Sequence, residues 1–240
     1  MLFLNDQAKT YMKKIFSVAL GLFWVFANAL SAQQPAVTHP NTSEPGWLNL
    51  FKDDLSDAIF PKGIWTVAGA VITASKDETI YSEKSYNNFI LDLEFKNAKG
   101  TNSGVFVHAS DLADNVPNSV EIQICDDFYP EWANSPPDWH CASIFGHQPP
   151  VKSLVKHPGE WNHYTISCIG RKIWVVLNGE LVNQCDMSLF TSAKKNPDGT
   201  PIPEWLDKPM AEISLKGHIG LQGKHAGAPI FFRNIKIKEL

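Results

Sequence analysis

The sequence predicts an all-β fold, an antiparallel sandwich or jelly roll. Three observations support this. Short segments alternate between apolar and polar residues with a period of two, which is the pattern of half-buried strands. Turn-forming residues such as Gly, Asn and Pro separate these segments. From Gly46 onward no helical periodicity persists beyond two turns, so the chain lacks the crossover helices that a parallel sheet requires.

The N-terminal region has the features of a signal peptide. Lys13 and Lys14 precede an apolar run at 15–26, and small residues at 27–32 offer cleavage sites. The run is shorter than the ~20 residues of a membrane-spanning helix. No cysteine lies near the cleavage sites, which argues against lipid attachment. We therefore assign residues 1–32 to an N-terminal extension and signal peptide, and expect a periplasmic or secreted protein without stable membrane insertion after cleavage.

The remainder divides into a polar, Pro-containing linker at 33–45 and one β domain at 46–240. Within the domain, Asn178-Gly179 is a strong hairpin signal. Residues 191–209 carry several Pro residues and form a long loop, and ordered loops of that length are usually functional. The predicted strands span 88–96, 104–108, 161–169, 172–177, 181–185, 218–222 and 230–238.

The segment 118–127 contains the strand that indicates function. Val120, Ile122 and Ile124 share one face, so Glu121 and Gln123 lie on the other. A loop rich in Trp and Pro follows, which predicts a cleft and not open solvent. A carboxylate and a carboxamide on one wall of an aromatic-rimmed groove are typical of a sugar site.

Charge and aromatic content narrow the function classes. The formal net charge of the chain is −4, so it lacks the basic footprint of a nucleic-acid-binding protein. Its 8 Trp residues exceed what a core of this size requires, which suggests that some contact ligand. The oligomeric state does not follow from these features.

Four cysteines allow three complete disulfide pairings. Cys168 and Cys185 fall on the two outer strands of a three-strand meander, ~9–10 Å apart, which is too far for a bridge. Cys125 and Cys141 bracket the Trp/Pro loop. We favour a Cys125–Cys141 bridge with the other two thiols free.

Several ordered motifs resemble one known family. They are Gly46-Trp47-Leu48-Asn49-Leu50-Phe51, Asn102-Ser103-Gly104-Val105-Phe106, Glu121-Ile122-Gln123-Ile124, Ser143-Ile144-Phe145-Gly146, Gly159-Glu160-Trp161-Asn162, Leu177-Asn178-Gly179, Gly217-His218-Ile219-Gly220-Leu221-Gln222 and Phe232-Arg233-Asn234-Ile235. In this order they resemble the 3-keto-disaccharide hydrolase domain family. Two positions depart from the family pattern: His108 stands where Arg is common, and Phe145 stands where Tyr is common.

The resemblance implies a concanavalin A-like jelly roll of two antiparallel sheets, with a carbohydrate site on a concave face. It also implies cleavage of glycosides already oxidised to a ketone at C3. The ketone acidifies the proton on C2, so a base can remove it, the aglycone can leave from C1, and water can add to the enone. Such chemistry needs a base, an acid and a group that stabilises the enolate oxygen.

We expect Glu121 to act as base or acid and His225 to be the second catalytic group. The predicted substrate-binding residues are Gln123, Asn102, Ser103, His108, Lys224, Arg233 and Trp139. Some of these have equally plausible structural roles: Asn102 and Ser103 as turn caps, and Arg233 in an ion pair. A divalent cation could stabilise the enolate, but no motif commits us to a metal or another cofactor.

Ordinary glycoside hydrolysis would need two carboxylates, and Glu121 could pair with Asp126 or Asp127. Pleating places Asp126 away from Glu121, so the pair is not secure. A non-catalytic, lectin-like binding module is the main alternative function, because one fold serves many functions. A module that docks other glycan-processing proteins is a third. A single domain with its own signal peptide favours the enzyme.

Overall fold

The computed structural model describes residues 33–240, so the predicted signal peptide lies outside the described residues. The part described contains two antiparallel sheets. The strands are β1 Leu48–Asn49, β2 Ala58–Ile59, β3 Trp65–Ala68, β4 Val71–Ala74, β5 Ile80–Ser82, β6 Phe89–Asn97, β7 Asn102–Ala109, β8 Val120–Cys125, β9 Trp161–Ile169, β10 Lys172–Leu177, β11 Glu180–Asp186, β12 His218–Leu221 and β13 Ile230–Glu239. A helical turn, α1, spans Pro130–Ala133, and 3₁₀ turns span Pro137–Trp139, Met187–Leu189 and Met210–Glu212.

The larger sheet has eight strands in the order β11-β10-β9-β6-β13-β4-β3, with β1 paired to β13. The smaller sheet has five strands in the order β2-β5-β12-β7-β8. Strands that neighbour one another in space are often distant in sequence, as in β6 and β13, which is the connectivity of a jelly roll. The predicted all-β sandwich is confirmed. Among residues 33–240, no helix is long and apolar enough to cross a membrane.

The core lies between the two sheets. In β6, Phe89, Leu91, Leu93 and Phe95 are fully buried, whereas Glu94 and Lys96 keep partial exposure on the far side. In β8 the apolar residues Val120, Ile122 and Ile124 join the same core. Burial of these alternating side chains removes apolar surface from water and fixes which face of each strand is left for function.

The longer strands match the sequence prediction closely. β9 and β10 begin and end at the predicted residues. Asn178 and Gly179 both adopt positive φ, of 51° and 94°, as a type I′ hairpin requires. The five short strands before Phe89 were not predicted, because segments of two to four residues carry too little alternation to stand out.

The predicted linker, 33–45, contains no strand. Within it, Ala36 and His39 contact β9 and the β10–β11 turn. The Ala36 amide donates to Ser167 Oγ at 3.0 Å. His39 Nδ1 lies 2.8 Å from Thr165 Oγ1, and His39 Nε2 accepts from the Gly179 amide at 2.8 Å. These specific contacts tie the segment to the outer face of the larger sheet.

The predicted Cys125–Cys141 bridge is wrong for this structure, in which all four thiols are free and buried. The Cys141 thiol lies 3.2 Å from the Tyr164 hydroxyl. Cys168 and Cys185 do occupy strands on either side of β10, both opposite Ile173. Burial raises the pKa of these thiols well above the usual range, which keeps them as inert thiols and not reactive thiolates.

Candidate functional site

Two glycines of the five-stranded sheet, Gly104 and Gly220, lie directly against large side chains. A Cβ at Gly104 would lie 2.0 Å from Glu121 Oε1, and one at Gly220 would lie 2.7 Å from the Tyr81 ring. Only glycine at position 104 leaves room for the Glu121 carboxyl beside β7. Only glycine at position 220 leaves room for the Tyr81 ring beside β12. The glycines in the Asn-Ser-Gly and Gly-Leu-Gln motifs are thus required by close packing.

A cavity beside the five-stranded sheet has a volume of about 670 Å³, which is large enough for a disaccharide. Phe106, directly opposite Glu121 in the strand register, forms part of the lining. The other residues that carry chemistry here come from β5, from the end of β12 and from three loops. They are Asp77, Glu78, Thr79, Tyr81, Asn115, Gln222 and His225.

Glu121 is half-buried and densely surrounded by protein. Within residues 33–240, none of the hydrogen bonds ends on its carboxyl group. Burial raises the pKa of Glu121 to about 8, and the negative charge of Asp77 contributes in the same direction. At neutral pH the carboxyl group is therefore mostly protonated and can donate a proton.

His225 and Asp77 form a pair on the rim of the same cavity. His225 Nδ1 lies 2.7 Å from Asp77 Oδ2. Because a carboxylate only accepts hydrogen bonds, the neutral imidazole carries its proton on Nδ1 and leaves Nε2 free as an acceptor. A backbone bridge between Asn102 and His225 ties this loop to β7. This is the arrangement of a histidine oriented by a carboxylate for general-base work.

Carboxamides lie beside Glu121. Gln123 Nε2 donates to Asn102 Oδ1 at 3.1 Å, which fixes both side chains. Gln123 Oε1 and Gln222 Oε1 are buried and have no hydrogen-bond partner among the described residues. A buried acceptor without a partner costs folding free energy. A ligand whose hydroxyl donates a hydrogen bond to such an oxygen would therefore bind more tightly.

Tyr81 contributes a phenol to the cavity lining. Burial raises the pKa of Tyr81 to about 12, and the nearby Glu121 and Glu78 charges add to the effect. The phenol therefore keeps its proton over the physiological range and can serve as a neutral hydrogen-bond donor. Sequence reasoning missed both Tyr81 and Asp77, because Tyr81 lies within the three-residue strand β5 and Asp77 in the loop before it, and neither segment has a recognisable motif.

Two predicted substrate-binding residues, Ser103 and His108, face away from the cavity. Ser103 is fully buried and donates to the Gln222 carbonyl at 2.8 Å. His108 is also fully buried, with its ring packed edge-on against Phe89 at 6.1 Å. The strand register shifts between His218 and Gly220 and His108 adopts a φ of 59°, so a bulge redirects its side chain. Burial lowers the pKa of His108 to about 4, so it is neutral.

Arg233 lies on the other sheet and cannot reach the cavity lined by His225. It donates to Glu94 Oε2, and its guanidinium lies 4.0 Å from the centre of the Trp161 ring. The ion-pair interpretation of Arg233 therefore fits, and Arg233 does not belong to the cavity lined by His225. Lys224 does stand next to His225 in the same loop, but the cavity lining does not include it.

Asp126 and Asp127, the partners considered for Glu121 in the two-carboxylate alternative, both make hydrogen bonds within the loop after β8. Asp126 accepts from the Gly100 and Phe128 amides. Asp127 accepts from the Cys141 amide at 3.0 Å and contacts His140. Both carboxylates are engaged in shaping the loop after β8, so the acidic neighbour of Glu121 is Asp77 instead.

The structure offers one His/Asp group with metal-like spacing in residues 33–240, formed by His39, Asp92 and His163. It lies at the larger sheet, where Asp92 belongs to β6 and His163 to β9, and none of its members lines the cavity that contains His225. The His39 and His163 rings stack at 3.6 Å, and both His39 nitrogens already have partners. Burial lowers the pKa of His39 to about 4, so it is a neutral member of a satisfied hydrogen-bond network.

Trp139 lies in a different cavity, formed by the loops beyond β8. This second cavity has a volume of about 470 Å³, and Trp205 lines it together with Trp139. The predicted role of Trp139 in sugar binding therefore concerns this second cavity. The Phe145 amide donates to the Glu121 carbonyl at 3.0 Å, and the Phe145 ring packs 5.2 Å from Trp139. Phe145 thus connects the two regions.

Comparisons with known proteins agree with the fold and the motifs. A curated 3-keto-disaccharide hydrolase from Bacteroides thetaiotaomicron is 29% identical over 182 residues, which are 68% of this chain and 62% of the relative. The chain thus spans less than two thirds of that relative's length. A solved structure of a candidate glycosyl hydrolase from Parabacteroides distasonis is 51% identical with a TM-score of 0.79, covering 81% of this chain and 99% of that one.

A second Parabacteroides distasonis structure, also of a candidate glycosyl hydrolase, is 23% identical with a TM-score of 0.67, covering 86% of this chain and 100% of the other. At that identity the likeness shows the fold alone. The family model matches residues 41–238, which include Glu121 and every residue that lines the cavity containing His225. This match confirms the resemblance carried by the sequence motifs. The chain belongs to the 3-keto-alpha-glucoside-1,2-lyase-like domain family.

Proposed function

We propose that the protein is an exported enzyme that cleaves 3-keto-glycosides by elimination followed by hydration. One observation carries the proposal: His225, oriented by the Asp77 carboxylate, lines a disaccharide-sized cavity, and the desolvated Glu121 carboxyl lies on the next strand, opposite the lining residue Phe106. At one pH, the reaction needs an acid that carries its proton and a base that has lost its proton. Asp77 helps to create both, because its charge raises the pKa of Glu121 and its carboxylate holds His225 Nδ1.

In the first step, His225 Nε2 removes the proton from C2 of the bound sugar. The electron pair of that C–H bond forms the C1=C2 double bond as the C1–oxygen bond breaks. Protonated Glu121 gives its proton to the departing oxygen, so the aglycone leaves as a neutral alcohol. In the second step, water adds across the double bond, with its hydroxyl going to C1 and a proton returning to C2.

Negative charge develops on the C3 oxygen while C2 loses its proton. The Tyr81 phenol stays protonated and can donate a hydrogen bond to that oxygen. The unpaired carboxamide oxygen of Gln222, which lines the cavity, can accept a hydrogen bond from a sugar hydroxyl. These contacts orient C2 toward His225 and exclude water from the acid.

Family membership and the name of the Bacteroides relative support the 3-keto substrate class. Since the chain covers 62% of that relative, transfer of the whole protein's activity belongs to the proposal. Export rests on the signal-peptide pattern of residues 1–32. Determination of the N-terminus of the protein recovered from a periplasmic fraction would test it, and an uncleaved cytoplasmic product would contradict it.

The decisive experiment follows aglycone release from a 3-keto-glucoside and from its unoxidised parent. We expect release from the ketone only, with solvent deuterium appearing at C2 of the sugar product. Release from neither compound would refute the enzyme proposal, and binding without release would favour a lectin-like module. Equal release from both would indicate ordinary hydrolysis, because the unoxidised sugar has no acidified C2 proton.

A further inference from the structure

The second cavity, named here the tryptophan cavity, is built from two loops. One side is the 3₁₀ turn Pro137–Trp139 and the other is the long loop 191–209. The residues with functional side chains in its lining are Asp138, Trp139, His147, Asp198, Glu204 and Trp205. The Gly146 amide donates to the Asp138 carbonyl at 3.1 Å, so backbone hydrogen bonds hold the first side in place.

Two indole rings form an aromatic wall. The Trp139 and Trp205 rings lie 6.0 Å apart in an edge-to-face arrangement. Trp139 is supported from behind by Phe145, whereas Trp205 is 54% exposed. A large apolar side chain left this open at the mouth of a cavity is costly in water, so the wall is suited to contact a ligand.

His147 supplies a rigid acceptor in this lining. Its side chain is buried, and its Nδ1 lies 3.0 Å from Asn196 Oδ1. Asn196 Nδ2 donates to the Gly146 carbonyl and to Thr200 Oγ1, so Asn196 Oδ1 must accept from His147. The proton therefore resides on Nδ1, and no hydrogen bond within residues 33–240 ends on Nε2. The Nε2 lone pair is available to a ligand.

The charged side chains that line the tryptophan cavity are all acidic. Asp138, Asp198 and Glu204 contribute carboxylates, and neither Lys nor Arg belongs to the lining. Asp138 is half-buried, so its charge acts with less screening than that of an exposed group. A ligand with a negative charge is repelled, while one that donates hydrogen bonds finds carboxylate and imidazole acceptors.

We propose that the tryptophan cavity is a second carbohydrate site, which binds an uncharged or amino-substituted pyranose without a C3 ketone and rejects sugar acids. A pyranose combines an apolar C–H face for an indole ring with hydroxyl donors for His147 Nε2 and Asp138. The inference rests on the proposed function only for the carbohydrate class of the ligand. It does not depend on the chemistry at Glu121.

The test uses the Glu121→Gln protein, so that no turnover interferes, and measures binding by calorimetry and by the NMR signals of the indole N–H groups. The probes are cellobiose, glucosamine and glucuronate. We expect saturable binding of cellobiose and glucosamine, and at least tenfold weaker binding of glucuronate. Trp205→Ala should weaken cellobiose binding at least tenfold. Phe128→Ala, which removes another aromatic side chain that is 47% exposed, should leave it unchanged.

A further variant tests the charge argument. Asp138→Asn should reduce the preference for glucosamine over glucuronate at least fivefold while the Trp205 indole signal still responds. Absence of saturable binding by any probe, or cellobiose binding unaffected by Trp205→Ala, would overturn the proposal. Tighter binding of tetramethylammonium than of either sugar would also overturn it, in favour of an organic-cation site. Since no probe carries a 3-keto group, failure of the cleavage reaction would leave this result standing.

Discussion

Replacing Glu121 by Gln should make the protein more stable at alkaline pH. In the folded protein the pKa of Glu121 rises from 4.5 to about 8 because the carboxyl is desolvated. Between these values the unfolded chain releases the proton while the folded protein keeps it. Unfolding is therefore favoured as pH rises through this window, and the wild type loses stability that a glutamine does not lose.

The magnitude follows from the size of the shift. One pKa unit corresponds to ~1.4 kcal/mol, so the shift of Glu121 sets an upper limit of roughly 5 kcal/mol. Because the side chain keeps partial contact with water, we expect about half of that limit, on the order of 2 kcal/mol. Below pH 4.5 the protonated acid and the amide should be nearly equivalent.

Urea denaturation followed by tryptophan fluorescence at pH 5 and pH 9 measures the effect. The stability of Glu121→Gln relative to wild type should increase by on the order of 2 kcal/mol between the two pH values. Glu160→Gln, at an exposed carboxylate, is the matched control and should show no such change. A stability difference between Glu121→Gln and wild type that is the same at both pH values would refute the desolvation argument.

Three further predictions concern activity and packing. Glu121→Gln should lower kcat for 3-keto-glucoside cleavage by about 10²-fold or more. Wild-type activity should fall above a pH of about 8, where the acid loses its proton. A flat pH profile up to pH 10 would show that another group donates the proton. Asp77→Asn should reduce kcat by about tenfold or more, since it disturbs the orientation of His225. It should also move the alkaline limb of the pH–activity profile to lower pH, because it removes a charge that raises the pKa of Glu121. An unmoved limb would contradict the coupling between Asp77 and Glu121. Gly104→Ala should destabilise the fold by ~1–3 kcal/mol, because the new Cβ would lie 2.0 Å from Glu121 Oε1. The double variant Gly104→Ala/Glu121→Ala should recover most of that loss in thermal melts. Additive losses of stability would show that the clash is absent.

The longer strands could be predicted from the sequence because a strand with one buried face alternates between apolar and polar residues. β8 is the clearest case: Val120, Ile122 and Ile124 fill the core, so Glu121 had to lie on the opposite face. The Asn178-Gly179 turn was equally readable, because few residues other than these tolerate its positive φ values. The motif order also identified the family before any fold was known.

Alternation does not say which strands become neighbours, and this explains the errors at the site. Arg233 and Glu121 belong to different sheets, so a charge that seemed available for substrate is paired with Glu94 instead. His108 follows the register of a polar face until a bulge turns it inward. A one-residue irregularity of this kind depends on the partner strand and leaves no pattern in the sequence.

The sequence by itself therefore determined the sandwich, the face on which Glu121 lies and the family, since each depends on local alternation, turn chemistry or ordered motifs. Tertiary structure alone decided what surrounds Glu121. Asp77 and Tyr81 reach it from another part of the chain because β5, β12, β7 and β8 are adjacent in one sheet. The pKa of a carboxyl depends on the atoms and charges that enclose it, and only the packed chain brings those together.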